Sequence, residues 1–206
     1  LQSCTVRAYE AETFENLPEK TIAILPYEVV FEGRTPRRFT QRDLEMFAIG
    51  DSQLFQASLY RSIIERERRN KRFKLTIQDV NDTNFLLAKA DISIRDSWYK
   101  DPVELAEILG VDAVVRSSVS TKRFVSDGLA ATADVTLAVL DALSGESSDT
   151  GTTTTGEVFV KASIIDIDGT LVWSASENVA TDYSFGSKRA VQFINRRIIR
   201  RMRITN

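Results

Sequence analysis

The stretch from Asp101 to Val115, read as Asp-Pro-Val-Glu-Leu-Ala-Glu-Ile-Leu-Gly-Val-Asp-Ala-Val-Val, constrains this fold more than any other. Asp101 before Pro102 is a helix start. The carboxylate can accept a free N–H of the first turn, and the fixed φ of proline suits that turn. Val103, Leu105, Ala106, Ile108 and Leu109 fill a short helix, and Gly110 ends it. Val111 to Val119 is then rich in β-branched residues and reads as a strand. A short helix thus gives way at once to a strand.

Similar signals lie on either side. Thr21 to Leu25 is a short apolar run closed by Pro26, which reads as a buried strand. Tyr27 to Phe31 continues it after a break, because Pro26 has no N–H to give to a ladder. Gly33 to Arg38 is a basic loop. From Thr40, with Asp43 at the cap, Leu44, Phe47, Ala48, Leu54, Phe55, Leu59, Ile63 and Ile64 recur at helical spacing. Gly50-Asp51 is expected to break or kink that helix. Phe73 to Gln78 alternates and predicts a second strand. Asp79 and Asp82 open a further helix through Leu87, and 92–100 is expected to be irregular. Val158 to Ile167 and Thr170 to Ser176 are strands joined at the turn Asp168-Gly169. Asp166 and Asp168 fit local turn bonding better than a cation site.

Composition removes several functions. The chain has 206 residues, no histidine, one cysteine and a formal net charge of -2. Ser-His-Asp and Cys-His catalysis, imidazole–zinc sites and an intramolecular disulfide are therefore excluded. There is no Walker or Gly-rich phosphate loop. The expectation is a non-enzymatic protein with no cofactor, no metal site and no small-molecule substrate. The acidic balance also argues against nucleic acid as a partner.

The lone cysteine is Cys4 in Leu1-Gln2-Ser3-Cys4. An aliphatic residue three places before a cysteine, with a small residue next to it, resembles the bacterial lipobox, although Gln2 is unusual there. That resemblance implies a lipidated Cys4, with Leu1 to Ser3 as the remnant of a signal. Residues 5–20 carry Glu10, Glu12, Glu15 and Glu19, end near Pro18 and show no periodic stripe, so 1–20 is expected to be remnant and tether.

The order of elements, with Leu105-Ala106-Glu107-Ile108-Leu109-Gly110-Val111-Asp112-Ala113-Val114-Val115 and a closing hairpin whose second strand holds Val172-Trp173, resembles a known group. It is similar to the amino-terminal domain of TolB and its relatives among bacterial envelope lipoproteins, CsgG included. The resemblance covers about residues 21–202 outside an insert. It implies an α/β (α+β) fold, a single mixed sheet of four to five strands flanked by helices, and no active site. The domain expected is 21–206 with an insert at 121–156. That insert is apolar and Ala-rich, then rich in Ser, Thr and Gly; its Leu137 and Leu140 are candidate contacts with a partner or a second copy. Asp134 and Asp141 make it read as a helix rather than as barrel strands.

Two basic runs and one aromatic pair complete the candidates. Arg61 to Arg72 ends the long helix, and its plain reading is a solvated end with Glu65–Arg69 pairing. The last helix, capped by Ser187, carries Ala190, Phe193, Ile194, Ile198 and Met202 on one side. Around the rest lie Arg196, Arg197, Arg200 and Arg201, suited to an anionic partner or simply to solvent. Trp98-Tyr99 could be an exposed docking pair or core cover. The expected function is protein–protein interaction or assembly by a lipid-anchored, periplasm-facing protein of the outer membrane. The alternative is a CsgG-like oligomeric secretion channel component.

Overall fold

A computed structural model describes residues 7–12, 14, 20–32, 40–71, 73, 75–123, 156–181 and 186–202. The strands are β1 (Arg7–Glu10), β2 (Thr21–Ile24), β3 (Glu28–Glu32), β4 (Thr76–Ile77), β5 (Ala113–Arg123), β6 (Gly156–Asp166) and β7 (Leu171–Thr181). The helices are α1 (Gln41–Arg69), α2 (Val80–Lys89), α3 (Ile94–Tyr99), α4 (Pro102–Leu109) and α5 (Ser187–Arg201). One seven-stranded mixed sheet has the order β1-β7-β6-β5-β2-β4, with β3 also on β5. The four to five strands expected become seven because short strands add to the sheet and the first strand divides at Pro26.

That division organises the sheet. Ile24 pairs with Val115, whereas Glu28 pairs with Ser118. Leu25, Pro26 and Tyr27 thus face only Arg116 and Ser117, so one residue is extra, as in a bulge. Leu25 still gives its N–H to Val115 at 3.0 Å, and Tyr27 turns its own toward Ser52 of α1. Both β2 and β3 run parallel to β5, and its other edge pairs antiparallel with β6.

On one face, Ile22, Ile24, Val115, Val119, Val160, Ala162, Ile164 and Trp173 join the cluster of Phe55, Leu59, Ile63, Ile194, Ile198 and Ile199 from α1 and α5. On the other, Ala23, Leu25 and Val114 meet Leu87 of α2 and Leu105, Ala106 and Leu109 of α4. Polar bonds join the layers. Tyr27 donates to Asn195 at 2.8 Å within the core. Gln56 of α1 donates to the Ile24 carbonyl at 2.7 Å and exchanges amide bonds with Asn84 of α2.

Several caps match the sequence expectations. Thr40 and Asp43 form a reciprocal box at α1, Asp79 caps α2, and Asp101 caps α4 with Pro102 behind it. Gly110 takes φ 66°, the left-handed stop. Asp112 then accepts from the Thr21 N–H at 2.7 Å and gives its carbonyl to Ile167, tying the start of β2 to the β6–β7 turn. In that turn Gly169 has φ 84°, and Asp166 and Thr170 close the hairpin.

Other expectations are corrected. Gly50 does not break α1; a glycine costs about 1 kcal/mol there, small against the buried Phe55, Leu59 and Ile63 on the same helix. Residues 92–100 are not irregular: Ser93 caps α3 by accepting from Asp96, a box too short for periodicity to show. Of the expected strand at 73–78, the described residues that form β4 are Thr76 and Ile77. Ser187 is the first helical residue rather than the cap, a place held by Gly186 without a side-chain bond. Part of the expected tether is folded: β1 pairs with β7 and Phe14 is buried in the core. A ladder built from backbone groups leaves no periodic mark in four residues. The expected insert is bounded by strand pairing as far as Arg123 with Gly156; residues 124–155, with Leu137 and Leu140, lie outside the described residues.

Tyr27→Phe should lower stability by about 1–3 kcal/mol, because the buried Asn195 oxygen loses its donor. Urea denaturation of both proteins checks this, and an unchanged midpoint would show that the bond is dispensable.

Candidate functional site

The sequence candidates fall in three places. Cys4, Leu137 and Leu140 lie outside the described residues. Trp98 and Tyr99 divide: Trp98 packs against the main core and Tyr99 is 69% exposed, their rings meeting edge-on at 6.4 Å. They are therefore not one exposed pair, because a helix turns adjacent side chains about 100° apart. The arginines of α5 form the third place.

α1 and α5 lie side by side and run in the same direction. Lys188 meets Asp51 at 3.2 Å, Asn195 meets Ser58 at 3.3 Å, and Met202 accepts from Arg66 at 2.7 Å. Both carboxyl ends, and with them both basic runs, therefore reach the same end of the domain. Glu65 lies 4.0 Å from Arg196. Arg68, Arg69, Lys71, Arg196, Arg200 and Arg201 are exposed there. Among the described residues, Arg68, Arg69, Lys71 and Arg200 have no ion-pair partner. Arg66 is different: it lies 4.2 Å above the Phe73 ring, and burial pulls its pKa down while leaving it charged.

Arg197 has a structural duty. Its Nε lies 2.7 Å from Oε1 of Glu177, whose side chain is fully buried, in an ion pair out of hydrogen-bond geometry. Burial pushes the Glu177 carboxyl up, while Arg197 and then Arg201 pull it down. Sequence reasoning missed Glu177 because an isolated carboxylate in an alternating strand reads as solvent-facing.

A fourth surface was not anticipated as a whole. The second face of the sheet is covered by α2 and α4 only near Ala23, Leu25 and Val114. Farther along β5, β6, β7 and β1 it presents Ser118, Ser120, Phe159, Lys161, Ser176 and Tyr9, half-buried or exposed. Tyr9 is 51% and Phe159 43% exposed. Alternation along β6 was the available signal: Glu157, Phe159, Lys161 and Ser163 share one face.

The carboxylates of the hairpin hold no cation site. Asp166 pairs with Lys20, and Asp168 accepts from the Thr170 N–H, the bond that chiefly holds its pKa below the usual range. Among the described residues no cluster of His, Cys, Asp and Glu could hold a metal. No helix among them is long and apolar enough to cross a membrane.

No family model and no curated protein sequence matches this chain. Solved structures do match in outline. The PelC dodecamer from Paraburkholderia phytofirmans is 14% identical at a TM-score of 0.47, over 98% of this chain and 99% of that one. Lipoprotein GNA1162 from Neisseria meningitidis is 13% identical at 0.49, over 88% and 95%. The LpoB C-terminal domain from Salmonella enterica is 12% identical at 0.37, over 82% and 96%. Likeness at this level identifies no family.

Arg197→Ala should cost about 2–4 kcal/mol at neutral pH, since it strands a buried carboxylate. Glu177 already binds its proton more tightly folded than unfolded, so its ionisation works against the fold as pH rises beyond the ordinary glutamate range. Loss of Arg197 raises that folded value further. The penalty should therefore shrink as pH is lowered to that range, and Glu177→Gln should relieve it at neutral pH. Denaturation of the variants at both pH values checks this; a pH-independent penalty would assign the loss to packing.

Proposed function

We propose that this chain is the folded, non-catalytic part of a lipid-anchored cell-envelope protein. It faces the periplasm, is tethered to the outer membrane through Cys4, and acts by contact with envelope proteins or with its own copies. One observation carries the interaction reading: a sheet face left half uncovered by the described elements, with Tyr9 and Phe159 exposed among short polar side chains. Aromatic side chains that stand out of a flat polar surface offer large contact area at little entropic cost. Among the described residues, the titratable groups with shifted pKa do not converge on a cleft. Tyr27 and Glu177 are raised chiefly by burial within the packed layers, and Asp43 and Asp168 are lowered chiefly by cap and turn bonds.

The anchor reading rests on Leu1-Gln2-Ser3-Cys4. The order of elements, with α4 stopped by Gly110 directly before β5, supports the TolB-like resemblance. A channel component of the CsgG kind is the second reading. It is favoured by the β5–β6 pairing, which is still in register at Arg123 and Gly156, where residues 124–155 begin.

Mass spectrometry of the amino-terminal peptide from native protein should find Cys4 acylated, and a Cys4→Ala variant should lose the acyl mass. An unmodified Cys4 behind an uncleaved segment would end the anchor reading. Separately, Tyr9→Lys with Phe159→Lys should reduce chemical crosslinking to envelope proteins or to a second copy severalfold, with Tm unchanged. Crosslinking unaffected by the pair would remove the sheet face as the contact. A detergent-solubilised ring of many copies would select the channel reading, and a stable monomer would remove it.

A further inference from the structure

We propose that the shared carboxyl end of α1 and α5 is a docking surface for anionic phospholipid headgroups. The runs that build it are far apart in sequence, 66–71 and 196–201, and only the parallel packing of the helices joins them. Arg68, Arg69, Lys71, Arg196, Arg200 and Arg201 are exposed on this end. Three carboxylates lie nearby: Glu177 is buried against Arg197, Glu65 is half-buried beside Arg196, and the half-buried Glu67 makes no ion pair with a described residue, so they do not balance the cations. Each helix end contributes about half a negative charge, which offsets only a small part of this excess. On a chain of net charge -2, a cationic excess at this pole leaves the acidic balance on the rest of the chain.

Two features favour a lipid surface over a nucleic acid or an acidic protein. First, Phe193 is 42% exposed and lies one helical turn before Arg196 and Arg197, with the Arg197 guanidinium 5.3 Å from its ring. Phe193, Arg196 and Arg200 share one side of α5. An aromatic beside arginines on one helix face is the composition of an interfacial helix, whose ring enters the headgroup layer while the cations meet phosphate. Second, the field of a charged membrane falls off within a Debye length, about 8–10 Å in physiological salt. A domain that touches the membrane by its basic pole keeps its acidic remainder outside that range. A flexible polyanion has no such restriction and would also meet the acidic surface.

The choice of lipid as the anion rests on the membrane-tethered reading above. Arg7 is already in the sheet, so only a short run separates the domain from Cys4.

The test uses the 206-residue chain made without acylation, so that Cys4 plays no part. It is sedimented with vesicles of phosphatidylcholine alone or mixed about three to one with phosphatidylglycerol. Binding is expected only to the mixed vesicles and is expected to weaken as salt rises. Arg69→Gln, Arg196→Gln and Arg200→Gln together should weaken partitioning about a hundredfold. The charge-matched Arg42→Gln, Lys89→Gln and Arg95→Gln should leave it within a few fold, and circular dichroism confirms that both variants fold. Equal binding to both vesicles, or equal loss in the two variants, overturns the proposal. Tighter binding to a single-stranded oligonucleotide than to the mixed vesicles, abolished by the first variant, also overturns it in favour of a nucleic-acid site. The acylation result is independent, so failure of the anchor and failure of the docking surface are told apart.

Discussion

The rest of the structure depends on how one edge of β5 is occupied. That strand is 11 residues long, and two successive short strands, β2 and β3, share its parallel edge. The handover occurs at Pro26, the one residue in the run that cannot donate to a ladder. One extra residue there lifts Tyr27 out of the ladder, and its ring and hydroxyl enter the space between the sheet and the two long helices. The ring meets Phe55 of α1 edge-on at 6.0 Å, while the hydroxyl reaches Asn195 of α5. A break in the backbone pattern thus becomes the point where sheet, α1 and α5 are pinned together. Burial of this hydroxyl is tolerable because it has a partner; without one it would cost more than it contributes.

The pinning has electrostatic consequences. β3 and β7 run in the same direction, so α1 and α5, which follow them and fold back over the sheet, run parallel and their carboxyl ends coincide. Each end alone is an ordinary solvated terminus in which cations complement the dipole. Brought together, they leave cations that no described carboxylate neutralises. Within the layer the same packing buries Glu177, and Arg197 is committed to it. The basic side chains of α5 are therefore not equivalent: one supports the core and its neighbours face outward.

Local signals in the sequence were mostly sufficient for local structure. Asp101-Pro102, Gly110, Asp79 and Thr40 act through bonds to backbone groups within four residues, so their effect does not depend on the rest of the fold. The strands read at 111–119, 158–167 and 170–176 coincide with most of β5, β6 and β7, because alternation or β-branched composition runs over many residues there; the far ends of β5 and β7 were not read. Of the short strands, β2, β3 and β4 lie within runs the sequence marked, whereas β1 was not foreseen: it exists because an open ladder of β7 lies beside it, a fact about β7 rather than about its own side chains.

The sequence by itself determined the caps of α1, α2 and α4, the stop at Gly110, the β6–β7 turn and the exclusion of histidine chemistry, because these follow from residue types and short-range geometry. Tertiary structure decided which surfaces exist. It separated Trp98 from Tyr99, joined two basic runs into one pole, buried Glu177 and left half a sheet face uncovered by the described elements. The reason is physical: charge density, burial and accessibility depend on distances between residues far apart in the chain, and periodicity along the chain carries no information about them.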